Sequence, residues 1–409
     1  MKKVISILIV ISCLILLISF QMGSGFLRNV NFNKDDYKQI ITSNNQLGFD
    51  LLKGAKTNMD GNIFISPASL FMALSMIYNG ADGITKEEMG KVFHAEGIEV
   101  KELNKANASL IAMLQNDSKN SQLNIANSIW LNNHYHFQDE FSKSNHRYYN
   151  AKIQEMDITN SQTPNLINDW VKKSTHNKIT KIIGADDIDP NVVAFLLNAI
   201  YFKGDWMHKF NKNLTEKQPF YSVTGITKDI PLMTINEKLA YMENEDFQAV
   251  VLPYAGGKMS MKVFLPNKDS SLREFEKMLT FDNWEKWNTD FQEKMGTVLL
   301  PRFHVAYEAE WSEQLKNLGM NTAFDDKAAL FTKMIRENGT VWISKIKQKT
   351  FINVNEEGSE AAASTSGKME TKSAPQKGPF RMEVNRPFFM AITDNQTGAI
   401  LFMGSIDKP

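Results

Sequence analysis

The order of apolar and polar positions predicts helices mainly in the first half of the chain and strands mainly in the second. Helical patterns cover residues 35–53, 66–79, a short segment from 85, 98–116, 138–149, 162–174 and 311–318. Strand patterns cover residues 191–202, 248–254, 258–265, 297–307, 341–354, 387–393 and 398–406. Because helices dominate early and strands late, we predict an α+β fold instead of alternating βαβ units.

Local signals refine these elements. Ser66 precedes Pro67, and a serine hydroxyl caps free amides while proline is tolerated at the first helical position. Thr85 and Glu88 have the spacing of a capping box. The strand pattern over residues 341–354 would span about 46 Å at roughly 3.3 Å per residue, so we expect a large sheet.

The composition is that of a globular protein without charge bias. Lys and Arg total 46, as do Asp and Glu, so the formal net charge is zero, and no overall field favours nucleic acid or an acidic membrane. Hydrophobic residues at 43% and charged residues at 22% exclude disorder, collagen and coiled coil. No repeat or linker interrupts residues 26–409, so we predict a single domain there.

Residues 1–25 have the pattern of a targeting segment. Lys2 and Lys3 precede an apolar run over residues 4–20, which is typical of a signal peptide or, at the short limit for a spanning helix, of an N-terminal membrane anchor. We therefore expect a secreted, extracellular protein, or one retained at the membrane by this segment. The single cysteine, Cys13, lies in the run, which leaves no cysteine elsewhere for disulfides, thiolate catalysis or metal ligation.

No motif announces catalysis or a metal site. Ser344 and Lys347 match an SxxK pair and leave a serine hydrolase as one alternative, but no SDN or KTG element accompanies them. His134, His136 and His146 could share a metal, yet no carboxylate shell accompanies them and we expect surface histidines. We predict that the protein is not an enzyme and needs no cofactor or metal.

The segment before the last two predicted strands has the alternation of a strand. From Ser359 to residue 371 every second residue is uncharged. The intervening positions hold all the charges, Glu360, Lys368, Glu370 and Lys372. Strict alternation is typical of a strand with one buried face, and the small residues 361–365 would let it enter between two existing strands. Pro375 would remove a ladder hydrogen bond, so the insertable stretch ends near residues 372–374.

Segments in this chain are similar, in order, to those of the serpin family of serine protease inhibitors. They are NIFISPASL at 62–70, LNAIYFKGDW at 197–206, LPRF at 300–303, LKNLGMNTAF at 315–324, NEEGSEAAAST at 355–365, and RPFFMAI with ILFMGSI at 386–392 and 400–406. The resemblance covers residues 35–409. It implies three β-sheets, eight to nine helices and an exposed reactive-centre loop at about residues 356–384.

The resemblance also implies a mechanism. In inhibitory members a protease attacks the loop and forms an acyl-enzyme, after which the freed loop inserts as a new strand of the largest sheet and distorts the protease. The implied partner is a target serine protease in a covalent complex, and we expect a monomer. Lys101 and Lys105 are interspersed with acidic residues and form no basic stripe, so we expect no heparin site and no nucleic acid. A serpin-fold protein that does not inhibit, acting as a binding or chaperone module, stays open.

The family motif places the hinge and the reactive bond. The hinge set is Glu356, Glu357, Gly358, Ser359, Glu360, Ala361, Ala362, Ala363, Ser364 and Thr365. Family spacing from Gly358 implies a scissile bond between Lys372 and Ser373, with the bonds after Lys368 and Lys377 as alternatives. Lysine at this position predicts trypsin-like proteases, whose specificity pocket ends in a carboxylate.

Further motif positions match residues that control opening of the sheet. They are Arg302, Trp206, Ser66, Ser69, Asn198 and Gln348. Arg302 and Glu356 match an ion pair at the top of the sheet, with Trp206 beneath. The family usually has a histidine where Gln348 stands; an amide can also donate and accept hydrogen bonds, but the effect on opening stays open.

Overall fold

A computed structural model describes residues 30–115, 121–189, 191–225, 227–359 and 379–409. Within these ranges the chain forms nine α-helices and fourteen strands. The helices are α1 (Ile41–Gly54), α2 (Pro67–Tyr78), α3 (Gly83–Val92), α4 (Val100–Leu114), α5 (Asp139–Tyr149), α6 (Thr163–Ser174), α7 (Leu272–Met278), α8 (Phe281–Asp290) and α9 (Ser312–Asn317). The strands are β1 (Ser121–Asn132), β2 (Lys152–Met156), β3 (Ala194–Asp205), β4 (Glu216–Tyr221), β5 (Thr227–Glu243), β6 (Phe247–Pro253), β7 (Met259–Pro266), β8 (Gln292–Pro301), β9 (Phe303–Glu310), β10 (Lys345–Asn355), β11 (Gly358–Ser359), β12 (Phe380–Glu383), β13 (Phe388–Asp394) and β14 (Ile400–Ile406).

The first sheet has six strands in the order β2, β1, β3, β11, β10 and β9. Strands β3 and β10 are parallel and pair directly, from Phe195 opposite Lys345 to Tyr201 opposite Phe351. At one end of the sheet the two-residue strand β11 lies between them and is antiparallel to both. Strands β3 and β10 are therefore in direct contact over most of their shared length, and β11 separates them only at one end. The line between β3 and β10, along which a further strand could enter, is called the gap below.

The second sheet has eight strands in the order β12, β8, β5, β6, β7, β13 and β14, with β4 also paired to β5. The long strand β5 joins its two halves, because it pairs with β4 and β8 over most of its length and with β6 at its end. The three sheets implied by the resemblance are thus hydrogen-bonded, among the described residues, as two networks. The α+β prediction is confirmed.

Helix α2 lies in the main core. All of its residues are buried, the polar Ser69 and Ser75 included, so the helix is surrounded by other elements on every side. The Ser66 hydroxyl accepts a hydrogen bond from the Ser69 amide, which confirms the predicted cap. The helix contacts both β3 and β14, so its start lies directly behind the point where β3 and β10 pair.

A second, smaller core lies on the other face of the six-stranded sheet. There α6 packs its buried residues Ile167 and Val171 against Trp130 of β1 and against Phe195 and Leu197 of β3. This layer attaches α6 to the β1 and β3 side of the sheet.

Several sequence predictions are wrong in detail. The expected strand over residues 297–307 is two strands in different sheets, because β8 ends at Pro301 and β9 begins at Phe303. Thr85 and Glu88 do not cap a helix: α3 begins at Gly83. The Thr85 hydroxyl instead accepts the Leu330 amide, and the Glu88 carboxylate accepts the amides of residues 321 and 322. Long-range partners therefore outcompeted the local motif.

Some elements had no sequence prediction. Strands β1, β2, β4, β5 and β12 and helices α7 and α8 were not anticipated. Within the described ranges, no helix combines the length and the apolarity that a bilayer crossing requires. The apolar run over residues 4–20 lies outside those ranges.

Candidate functional site: the hinge and the sheet-opening region

The first hinge residues already lie within the six-stranded sheet. Gly358 and Ser359 pair with Asn355 and Val354 of β10 on one side and with Asp205 and Gly204 of β3 on the other. Ser359 is fully buried. The hinge therefore begins as a strand between β3 and β10.

Gly358 has a steric reason to be glycine. A Cβ atom on this residue would lie 2.0 Å from the carbonyl oxygen of Gly204 and 2.6 Å from the Cα atom of Asp205. Contacts this short with backbone atoms cannot be relieved by a side-chain rotation. The close approach of β11 to β3 thus depends on the missing side chain.

A buried hydroxyl pair anchors Ser359. Its Oγ atom lies 2.7 Å from the hydroxyl oxygen of Tyr254, and the two share a hydrogen bond. Burial raises the pKa of Tyr254 above its usual range, so this hydroxyl stays protonated. The Tyr254 ring stacks on Trp206, with centroids 4.6 Å apart and planes 9° apart, and the Trp206 indole donates to the Asn355 carbonyl at 2.9 Å. Trp206 therefore lies directly beneath the start of the hinge.

Glu356 forms the ion pair that the resemblance implied. Arg302 Nε lies 2.8 Å and 2.9 Å from the two carboxylate oxygens, and the Thr215 hydroxyl donates to the same carboxylate at 2.6 Å. The Glu356 side chain is 3% exposed. Burial alone would raise the pKa of Glu356, but the Arg302 and Thr215 hydrogen bonds outweigh it and lower the pKa. The role of this pair in holding the hinge stays a prediction.

Glu357 makes a second ionic contact that sequence reasoning did not anticipate. Its carboxylate lies 2.5 Å from Lys209 Nζ and 2.7 Å from Lys212 Nζ. Burial would raise the pKa of Glu357, but the two lysines lower it. The Glu357 carbonyl accepts the Trp206 amide at 2.8 Å. Lys209 is 148 positions from Glu357 in the chain, so no local pattern in the sequence indicated this contact.

A buried polar network lies at the middle of the gap. Gln348 Nε2 donates to the Ser66 carbonyl at 2.9 Å and to Asn198 Oδ1 at 2.8 Å, while its Oε1 accepts the Ser66 amide at 3.1 Å. Asn198 Nδ2 donates to the Ser69 carbonyl at 3.2 Å and to Asn127 Oδ1 at 2.5 Å, and it also contacts Ser69 Oγ. The structure thus brings together four of the six residues predicted to control opening, namely Ser66, Ser69, Asn198 and Gln348, and adds Asn127. Gln348 joins β10, β3 and the start of α2.

The remaining site predictions lie outside the described residues. They are the hinge positions Glu360, Ala361, Ala362, Ala363, Ser364 and Thr365 and the reactive bond between Lys372 and Ser373, with the alternatives at Lys368 and Lys377.

Comparisons with known proteins decide the family. A family model described as "Serpin (serine protease inhibitor)" matches residues 42–409. The chain belongs to the serpin family. Human Serpin B11 is 31% identical over 95% of this chain and 100% of its own length, and human leukocyte elastase inhibitor is 33% identical over 91% and 100%. The crystal structure of the thermophilic serpin tengpin in its native state has a TM-score of 0.83 and 31% identity, covering 93% of this chain and 95% of that one.

Family membership bears on two sequence predictions. Serpins are protease inhibitors and not catalysts in the usual sense, which supports at the family level the prediction that this serpin is not an enzyme. The prediction of a secreted or membrane-retained protein is wrong by the same comparison. Serpin B11, leukocyte elastase inhibitor and Serpin B3 are intracellular serpins of one clade and lack a signal peptide. An apolar run alone was too weak a signal to decide location.

The serine hydrolase alternative with Ser344 and Lys347 lacks a general base in this serpin. The Ser344 hydroxyl accepts the Val193 amide at 2.9 Å, while Lys347 Nζ lies 2.8 Å from Asp187 and 3.2 Å from Glu308. Burial would lower the pKa of Lys347, but these two carboxylates raise it. An ammonium group held in its charged form cannot serve as the general base that a serine hydrolase needs.

Proposed function

We propose that this serpin inhibits trypsin-like serine proteases by trapping the acyl-enzyme when the cleaved loop inserts between β3 and β10. The observation that carries the proposal is β11. Gly358 and Ser359 already occupy the first two positions of a strand between β3 and β10. An inserting loop would therefore extend a strand that exists, without having to nucleate a new one.

The pairing of β11 sets the register for further insertion. Ser359 lies opposite Gly204 on β3 and opposite Val354 on β10. Continued in the same antiparallel register, Thr365 would lie between Asn198 and Gln348. These two residues are now paired with each other, so the registers on the two sides agree. The loop would thus enter through the polar network at the middle of the gap.

The same register supports the alternation found in the sequence. Ser359 faces the core, and successive side chains of a strand alternate between its faces, so Ala361, Ala363 and Thr365 would face the core as well. Small side chains suit this face, because closely packed interiors do not accept added volume without strain. The charged positions would face outward.

Insertion increases the number of backbone hydrogen bonds between strands. At present β3 and β10 pair with each other over residues 195–201 and 345–351. A strand inserted between them would give each a new partner, so one ladder of hydrogen bonds becomes two. Each net hydrogen bond contributes about 0.5–1.5 kcal/mol, which is free energy that the uncleaved loop keeps in reserve.

Incubation with trypsin tests the proposal. We expect a complex that survives SDS and boiling. We also expect a released C-terminal peptide whose measured mass shows that its first residue is Ser373. Peptides beginning after Lys368 or Lys377 would move the reactive bond to those positions. The variant Lys372→Leu should lose complex formation with trypsin, while Lys377→Leu serves as a matched control and should retain it. Clean cleavage without any complex would instead support the binding or chaperone alternative.

A further inference from the structure

We propose that Asp187 is a positioning residue that restrains the separation of β3 from β10 through an ionic bridge on the outer face of the sheet. The bridge consists of Asp187, Lys345, Lys347, Glu308 and Lys349, and is called the Asp187 bridge below. The inference deepens the proposed function and rests on it for its relevance to inhibition. Its geometry is independent of the reactive loop.

The bridge crosses the line along which the sheet would open. Asp187 lies in the connection that leads from α6 to β3. Its Oδ1 atom lies 3.0 Å from Lys345 Nζ and its Oδ2 atom 2.8 Å from Lys347 Nζ. Both lysines are on β10, so a carboxylate from the β3 side holds two ammonium groups from the β10 side.

The β10 lysines are also held from their other side. Lys347 Nζ lies 3.2 Å from Glu308 Oε1, and Lys349 Nζ lies 3.1 Å from Glu308 Oε2. Glu308 belongs to β9, the neighbour of β10 away from the gap. Because the ion pair with Glu308 holds the Lys347 side chain near β9 and β10, this side chain cannot move with Asp187 when the β3 side and the β10 side of the sheet separate.

The apolar layer on this face is divided unevenly between the two halves. Ala126 and Trp130 of β1 and Phe195, Leu197 and Ala199 of β3 are buried beneath α6. From the described part of β10, only the partly buried Phe351 packs against this cluster. The α6 layer therefore moves with β3, and the Asp187 bridge carries much of its attachment to β10.

Opening the gap breaks the bridge geometrically. Neighbouring strands lie about 4.8 Å apart, so a strand inserted between β3 and β10 moves them to about 10 Å. The contacts of Asp187 with Lys345 and Lys347 cannot both persist across the added strand. The side chains of Asp187 and Lys347 are 17% and 9% exposed, so solvent screens this contact less than a surface ion pair.

Peptide uptake tests the bridge without any protease. A synthetic peptide with the sequence of residues 360–371, which leaves Gly358 and Ser359 in place, is added to the intact protein, and uptake is followed by native-gel mobility and mass. We expect Asp187→Asn to take up the peptide about tenfold faster than the wild type at low salt. Because the side chains of Lys345 and Glu308 are 31% and 40% exposed, NaCl at about 1 M should weaken the bridge in part. It should accelerate the wild type by less than the substitution does, and it should leave Asp187→Asn unchanged.

A matched control is available in the same turn. Asp186 is exposed, and Asp186→Asn changes the net charge equally, so it should behave as the wild type. If Asp187→Asn impairs folding, Lys345→Gln combined with Lys347→Gln removes the same bridge from β10. Equal uptake by Asp187→Asn and the wild type, no uptake by either, or equal acceleration by Asp186→Asn would each overturn the proposal.

The two proposals fail separately. Absence of an SDS-stable complex between the wild type and trypsin would refute the trypsin trap, while salt-sensitive peptide uptake would still support the Asp187 bridge. A trypsin complex formed with the same stoichiometry by the wild type and Asp187→Asn, together with equal peptide uptake, would refute the bridge alone.

Discussion

Thr365→Arg should convert the inhibitor into a substrate. In the proposed inserted state, the register of β11 would place Thr365 on the core-facing side between Asn198 and Gln348, both of which are fully buried. An arginine there would bring a guanidinium into a network already satisfied by Ser66 and Ser69. A buried charge without a partner costs about 3–5 kcal/mol, and each 1.4 kcal/mol changes a rate about tenfold.

This cost slows loop insertion, the step that must be faster than hydrolysis of the acyl-enzyme if the protease is to be trapped. If insertion stalls before residue 365, the acyl-enzyme hydrolyses and the protease is released. We therefore expect the number of inhibitor molecules consumed per trypsin inactivated to rise from near one to more than about ten, with cleaved inhibitor replacing the SDS-stable complex. The assay is titration of trypsin activity with parallel gel analysis.

The neighbouring position supplies the matched control. Ser364 has the opposite parity and would lie on the outer face between Ala199, which is buried beneath α6, and Lys349, which ion-pairs with Glu308 at 3.1 Å. Ser364→Arg adds the same side chain and charge one residue away, but with the Glu308 carboxylate nearby it should impair inhibition less than Thr365→Arg does. If Ser364→Arg and Thr365→Arg inhibit equally, the register extended from β11 is wrong.

Three further predictions concern the described residues. Tyr254→Phe and Ser359→Ala should each lower the free energy of unfolding by about 1–3 kcal/mol, because each leaves a buried hydroxyl unpaired. The double variant should lower it by little more than either single variant. Additive losses in denaturant titrations would contradict the shared hydrogen bond. Burial lowers the pKa of Lys262 to about 8, so the unfolded chain binds more protons between pH 8 and about 10.5 and stability should rise there by up to about 3 kcal/mol. The variant Lys262→Met should lack that rise, and parallel curves for the two proteins would refute it. Burial would raise the pKa of Asp187, but the Gly184 amide, Lys347 and Lys345 lower it to about 2. Its contribution of about 2 kcal/mol should be complete above pH 4 and lost as the pH falls through 2, and Asp187→Asn should show no such loss in acid unfolding.

Much of the site could be predicted because its signals are local. The cap at Ser66 needs only neighbouring residues, and the alternation from Ser359 needs only the two-residue period of a strand. The pair of Glu356 with Arg302 came from family motifs, not from spacing, since these residues are 54 positions apart. The partners of Glu357, Lys209 and Lys212, were missed because nothing local links them.

The sequence by itself determined the α+β class and the start of α2 at its Ser66 cap, since both follow from patterns that short segments carry. The alternation of the hinge stays a prediction of the same kind. Only the tertiary structure decided that Gly358 and Ser359 already lie between β3 and β10, and that Asp187 reaches two lysines of β10. Hydrogen bonds and ion pairs between distant segments depend on which strands become neighbours. That choice is made by the packing of the whole chain, because a strand pattern specifies which face is buried but not which strand will lie beside it.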